Sequence, residues 1–289
     1  MTTDHAYTES DVEEFFDQTA ATYLSFWDSE GVLHTGYFSG PADGDYHAAA
    51  QRTSDILADE AGIDSSSVVL DVGSGCGNFL FYLGRRFGCR SRGLDLSQER
   101  IDVARARLGT DPLLSRLDIE FQHGSATRMP YETASFSHVV SQDALCLVPD
   151  KPSSHAEVHR VLRPGGVFAF SDFLQPTRQI SPSARKHVYD RVRWNDGYSL
   201  IGYQVALEQA GFEILLARSL ETHIRQTYRV LGKTAAERAA TQQDAAARDW
   251  MLAFSNSCGH IEVAIDHGEF GWGIFVARKP DRPSGSEPA

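Results

Sequence analysis

Asp71, a run of glycines at alternate positions and Asp95 are the residues whose types and spacing could do chemistry. Residues 67–78 read Ser-Val-Val-Leu-Asp-Val-Gly-Ser-Gly-Cys-Gly-Asn. An apolar, β-branched run therefore ends in Asp71 and passes Gly73, Ser74, Gly75 and Gly77 before a helical pattern starts at Phe79. A strand that stops in a glycine-rich turn and restarts as a helix brings bare backbone and the helix's first N–H groups up to a ligand. Twenty-two residues after Gly73 a second strand-like run closes in Gly93-Leu94-Asp95-Leu96. An acid at about that distance accepts ribose hydroxyls in doubly wound nucleotide-binding folds. The two signals together predict an adenosine-type ligand. A dinucleotide would ask for G-x-G-x-x-G; here the third glycine falls one residue early.

The elements that must position these residues alternate. Strands are predicted at 67–72, 90–95, 118–123, 136–141 and 166–172, with helices at 78–87, 97–108 and 151–162. Ser97 is the expected N-cap of the second of these helices, and Arg163-Pro164-Gly165-Gly166 is a turn into a strand. Such alternation argues for a parallel sheet with helices on both faces. Upstream, 12–27 has a helical face rich in aromatics and 47–61 reads as a helix. Downstream, 174–199 is polar and aromatic, 200–210 resumes as a helix, and 212–217 and 272–277 read as strands. Between those two strands lies 224–258, with one Ala-rich helix expected over about 234–254; a segment that long is expected to cap the ligand edge. The tail from Pro280 reads as disordered.

Composition excludes several function classes. The 289 residues, 42% hydrophobic and 23% charged, are ordinary for a globular chain. A formal charge of −12 argues against nucleic acid and anionic membrane surfaces as partners. No apolar run approaches the roughly 20 residues that span a bilayer, and no secretory leader is read in the acidic first 18 residues. Cys76, Cys89, Cys146 and Cys258 are scattered without a C-x-x-C pair, which fits reduced thiols in the cytoplasm. His155 and His159 stand one helical turn apart, but Glu157 points off their shared face and no cysteine is near. The pair is read as an exposed helix face, and no metal site is expected.

The order Asp71-x-Gly73-x-Gly75-x-Gly77 resembles motif I of the class I methyltransferases that bind S-adenosylmethionine. The resemblance covers roughly 60–172. Asp95 stands where that family's ribose-binding acid ends strand two. Ser135-Phe136-Ser137-His138-Val139-Val140 resembles the fourth strand, and Leu162-Arg163-Pro164-Gly165-Gly166 the turn into the fifth. His123-Gly124-Ser125-Ala126 occupies the place of the family's G-D-A, whose acid reaches the adenine amino group; Ser125 departs from that pattern. The resemblance implies a doubly wound, Rossmann-like α/β sheet of seven strands, mostly parallel with the last antiparallel, carrying helical cap insertions. It divides the chain into an N-terminal helical cap at 1–60, a cofactor-binding core at 61–220 with an acceptor-side insertion at about 174–199, a helical cap at 221–262, a final strand at 263–280 and a disordered tail at 281–289. It implies S-adenosylmethionine as cofactor and S-adenosylhomocysteine as product. The cofactor would contact Asp71, Gly73, Ser74, Gly75, Asp95, Leu96, Ser125, Ala126 and Gln142.

Methyl transfer is an in-line displacement from a sulfonium, so the protein mainly aligns the acceptor and excludes water. A base is needed only if the nucleophile carries a proton. Ser141-Gln142-Asp143-Ala144 resembles a sequence of small-molecule methyltransferases similar to the sarcosine/dimethylglycine N-methyltransferases. Asp143 is the candidate to orient an amine or accept a proton, with capping of the next segment as its alternative. Many relatives carry a histidine where this chain has Leu147. Tyr23, Trp27 and His34-Thr35-Gly36-Tyr37-Phe38 resemble the segment that closes over the cofactor in those enzymes, where aromatic faces attract a sulfonium or ammonium. His34 and His267 are further catalytic candidates. Tyr23, Trp27, Tyr37, Arg193, Trp194 and Tyr198 are candidates to hold the acceptor. The expected reaction is transfer to an N or O of a small-molecule acceptor in the cytoplasm. C-methylation or a cyclase on the same fold is the alternative, and a homodimer remains open. A NAD-dependent oxidoreductase and a scaffold with a vestigial site are the competing classes.

Overall fold

The computed structural model describes residues 6–26 and 32–281, with backbone alone for 20–26. In chain order the elements are α1 (Glu9–Phe26), α2 (Tyr46–Ala61), β1 (Val68–Val72), α3 (Asn78–Phe87), β2 (Arg90–Asp95), α4 (Gln98–Thr110), β3 (Ile119–His123), β4 (Phe136–Gln142), α5 (Lys151–Val161), β5 (Leu162–Leu174), α6 (Leu200–Gln209), β6 (Glu213–Ser219), α7 (Glu221–Ala239), α8 (Ala245–Asp266) and β7 (Gly271–Arg278). The seven strands form one sheet in the order β3-β2-β1-β4-β5-β7-β6. β1 pairs parallel with β2 and β4, β2 with β3, and β4 with β5; β7 runs antiparallel between β5 and β6. This is the expected doubly wound architecture. The strand order reverses at β1, so the carboxyl ends of β1, β2 and β4 open one crevice.

Central strands buried on both faces read as continuous apolar runs, and Val69, Leu70, Val139, Val140, Phe168 and Phe170 are all buried. The caps are set by local chemistry. The Ser97 side chain accepts from Arg100 N at the start of α4, and Asp150 accepts from Ser153 N at the start of α5. α2 buries Ala49, Ala50, Thr53, Leu57 and Ala58 and packs on β5 and β7. It is a layer helix of the sheet, whereas α1 packs on α4 and lies over the crevice.

Three sequence expectations are corrected. The single Ala-rich helix is two helices, α7 and α8, because Asp244 turns its carboxylate onto Ala246 N and Ala247 N and starts a new helix there. α8 then continues to Asp266, since Ile261, Ala264 and Ile265 keep helical spacing on its buried side; residues 263–266, expected with the final strand, are helical. The α5 histidines do not face solvent. α5 turns Lys151, Ser154, His155, Val158 and Val161 inward, and His155 is 1% exposed. Burial pushes the His155 imidazole down to about 4, keeping it neutral, while His159 packs edge-on against Phe212. Among the described residues no group of His, Cys, Asp or Glu could hold a metal ion.

Candidate active site

A cleft of about 1420 Å³, its open mouth included, runs along the carboxyl edge of β1, β2 and β4 and under α1. Its first half is built from contiguous turns. Gly73 N and Ser74 N both donate to Leu94 O, at 2.7 and 3.1 Å, which folds the β1–α3 turn onto β2. Gly73 has φ +78, and a Cβ there would lie 2.3 Å from Ala144 Cβ, so only glycine lets the loop after β4 come this close. At Gly75 an added Cβ would meet only Arg100 Nη1 at 3.8 Å, leaving the turn open towards the cleft. Asp95 closes β2 and bridges two turns, accepting Gly75 N at 2.7 Å and Ser97 N at 2.8 Å.

Asp71 lies beneath this turn, 2% exposed. Desolvation, and then the neighbouring Asp95 charge, push its carboxyl up to about 8. Two buried polar atoms beside the turn, Ser74 Oγ and Arg100 Nη2, have no hydrogen-bond partner among the described residues. The Arg100 guanidinium lies 4.4 Å over the Phe16 ring of α1. Gln142 lines the same wall, with Nε2 donating to Ser54 Oγ of α2 at 3.1 Å.

The second half is assembled from distant segments. Val12 and Phe16 of α1, Val32 and Leu33, Leu147 and Val148, Phe173 of β5, Val192 and Tyr228 of α7 give it mainly apolar walls. Arg191 contributes its cation there, with Nη2 donating to Tyr228 Oη at 3.0 Å.

Asp143, the candidate to orient an amine or accept a proton, sits between the halves with its carboxylate engaged by three donors. It adopts φ +52, uncommon for a non-glycine residue. Its Oδ2 accepts Thr35 N at 2.6 Å, while Oδ1 accepts Ser171 Oγ at 2.6 Å and Trp272 Nε1 at 2.7 Å. A carboxylate holding three donors is a tie between β4, β5, β7 and the strap 32–38. That strap is also stitched to α2 and α7: Thr53 Oγ1 donates to Thr35 O, Gly36 N to Thr227 Oγ1, and Phe38 N to His223 Nδ1.

Asp71, Gly73, Ser74, Gly75, Asp95, Leu96, Ala126, Gln142, Asp143 and His34 all line the cleft. Ser125 does not: its hydroxyl donates to Glu9 Oε1 at 2.7 Å, because α1 has settled on the loop after β3. His267 is exposed at the C-terminal end of α8, where its N–H goes to Val263 O, so the helix end carries it away from the cleft. Tyr37 stacks on His223 with centroids 3.9 Å apart. Arg193 places its guanidinium against the Tyr7 and Phe15 rings. Trp194 is fully buried, stacked on Tyr189, and Tyr198 meets Tyr203 edge-on. None of these four lines the cleft. The Tyr23 side chain and Trp27 lie outside the described residues.

Sequence reasoning missed Glu9, Val12, Glu13, Phe16, Arg100 and Tyr228. One available signal was the spacing in α1. Glu9, Glu13 and Asp17 recur every four residues, one stripe of a helix, with Val12 and Phe16 beside it. In the structure Glu9 holds Ser125, Glu13 Oε1 meets His123 Nε2 at 3.0 Å, and Asp17 Oδ1 accepts Ser97 Oγ at 2.5 Å.

Known proteins resemble this chain in sequence and fold. Residues 70–170 match the family described as Methyltransferase domain. The chain is 27% identical over 283 residues to a sarcosine/dimethylglycine N-methyltransferase of Halorhodospira halochloris, covering 94% of each. Some curated relatives are longer: the chain covers 56% of a sterol 24-C-methyltransferase of Kluyveromyces lactis and 46% of a phosphoethanolamine N-methyltransferase of Triticum aestivum. Among solved structures, one from Galdieria sulphuraria, provisionally assigned as a sarcosine dimethylglycine methyltransferase, superposes with TM-score 0.81 at 25% identity, covering 92% of this chain and 99% of that one. The cyclase SpnF shares the fold, with TM-score 0.79 at 21% identity over 95% and 97% of the two chains.

Proposed function

We propose that this chain is a class I S-adenosylmethionine-dependent methyltransferase that moves the cofactor's methyl group to an N or O atom of a small, largely apolar acceptor. The observation that carries this reading is the continuity of one cleft, from the Gly73–Gly75 turn and Asp95 into the apolar chamber under α1. The residues fit the cofactor. The turn leaves room where a Cβ at Gly75 would otherwise point, and Ser74 Oγ and Arg100 Nη2 are buried donors in want of acceptors. Asp95 would take the ribose hydroxyls, Asp71 the amino group, and Leu96 and Ala126 the adenine faces. When bound, S-adenosylmethionine supplies an electrophilic methyl on a sulfonium.

The rest of the chemistry falls to positioning. Asp143, with its oxygens committed to three donors, holds the strap and β7 rather than drawing a proton. That favours an acceptor whose nucleophile already presents a lone pair, as a neutral amine does. The apolar walls exclude water from the line of attack. The same walls favour a second reading, transfer to carbon or cyclisation, in which the chamber mainly folds an apolar acceptor. The buried cysteines and the acidic charge support a cytoplasmic enzyme without nucleic-acid partners. No helix among the described residues is long and apolar enough to cross a membrane.

The test is incubation of the protein with methyl-tritiated S-adenosylmethionine and fractionated small-molecule extracts. Label in an apolar amine or hydroxyl compound is the expected outcome. Product formed without label would mark the cyclase, and no product in any fraction would remove the transferase reading.

A further inference from the structure

Adenine presents an exocyclic amine at its edge, and a pocket that selects it needs an acceptor there. Ser125 occupies the loop position from which a carboxylate could have come. The loop supplies no acid, yet a carboxylate stands at that place. Glu9 of α1 lines the cleft beside Leu96, Gly124 and Ala126. Its Oε1 accepts Ser125 Oγ at 2.7 Å and Thr127 Oγ1 at 3.2 Å. A carboxylate has about four lone-pair sites, and Glu9 Oε2 has no partner among the described residues. Two hydroxyls thus fix one oxygen of an acid whose other oxygen remains available at the cleft wall.

We propose that Glu9, carried on the cap helix, is the residue that reads the adenine amine of the cofactor. Recognition of the base is then completed by α1 rather than by the sheet edge, and it exists only while α1 is seated. Seating is shared along the same helix face: Glu13 holds His123 and Asp17 holds Ser97. The inference rests on the S-adenosylmethionine reading.

The experiment separates the two. Dissociation constants of the full-length protein are measured calorimetrically for S-adenosylhomocysteine and for S-inosylhomocysteine, in which a ring carbonyl replaces the amine. The wild-type protein is expected to prefer the adenosyl form by about tenfold or more, since an unmatched polar edge is left unpaired in the other complex. E9Q offers an amide that can donate to the inosyl carbonyl, so the preference should shrink to about threefold or less. E9A removes the preference, and E9A/S125D, which moves the acid to the loop, restores it. A role confined to seating α1 would weaken both ligands equally and leave their ratio unchanged. An unchanged ratio in E9Q and E9A therefore overturns the assignment to Glu9 alone. Failure of the wild-type protein to bind S-adenosylhomocysteine overturns it together with the cofactor reading.

Discussion

The two halves of the cleft are built in opposite ways. The cofactor half is built mainly on short consecutive runs: Gly73, Ser74 and Gly75 in one turn, Asp95 and Leu96 in the next, joined by backbone bonds to Leu94 O. The acceptor half draws single residues from α1, the strap 32–38, the loop after β4, β5, residues 191–192 and α7. In the first half the same few residues make both the turn and the contact. In the second, packing decides which side chains arrive, and the sequence near each one carries little mark of it.

Variants that break one half and spare the other test this division. The largest effect is expected at the seam. Asp143→Ala leaves Trp272 Nε1, Ser171 Oγ and Thr35 N without their acceptor, at a cost of roughly 3 kcal/mol or more in urea unfolding. A variant that unfolds like wild type and loses only turnover would show that Asp143 serves the chemistry and not the seam. Next comes Asp95→Ala, expected to weaken S-adenosylhomocysteine binding by about 1.5–3 kcal/mol in calorimetry, since it removes charge-assisted bonds. Unchanged affinity would place the cofactor elsewhere.

A third effect depends on pH. The Asp71 carboxyl is raised in the folded protein to about 8, so its contribution to stability is present at pH 4 and lost as pH rises through 8. Asp71→Asn should therefore raise the melting temperature of the ligand-free protein at pH 8 and leave it nearly unchanged at pH 4. Binding of the cationic cofactor should draw Asp71 into its charged form and release a proton near neutrality. Calorimetry in buffers of different ionisation enthalpy reads that proton directly. The smallest effect belongs to His267→Ala. An exposed residue at a helix end should shift stability by no more than about 0.5 kcal/mol, with turnover intact; a large loss of turnover would return His267 to the site.

How much was legible follows the same division. The β1–α3 turn, Asp95, the strand order's βαβ rhythm and the Ser97 cap stand within a few residues of their signals, so periodicity and turn chemistry suffice to find them. Asp143 was found by position, but its hydrogen bonds were not, because its three donors come from residues 35, 171 and 272. Tyr37, Arg193, Trp194 and Tyr198 have the chemistry of a binding site and serve in packing instead, which only the tertiary contacts decide. His155 has a polar side chain, yet the inward face of α5 claims it.

The way α1 is fastened bears on ionic strength. Glu9 and Asp17 bind hydroxyl groups of Ser125, Thr127 and Ser97, while Glu13 meets the His123 imidazole and Arg100 lies over the Phe16 ring. Dissolved salt screens charge–charge attraction beyond about 10 Å at 0.1 M, but it takes little from a carboxylate in contact with a neutral hydroxyl. A chain of net charge −12 meanwhile loses self-repulsion as salt rises. The cap should thus stay seated across a wide range of salinity, and concentrated electrolyte should favour the closed enzyme rather than loosen it.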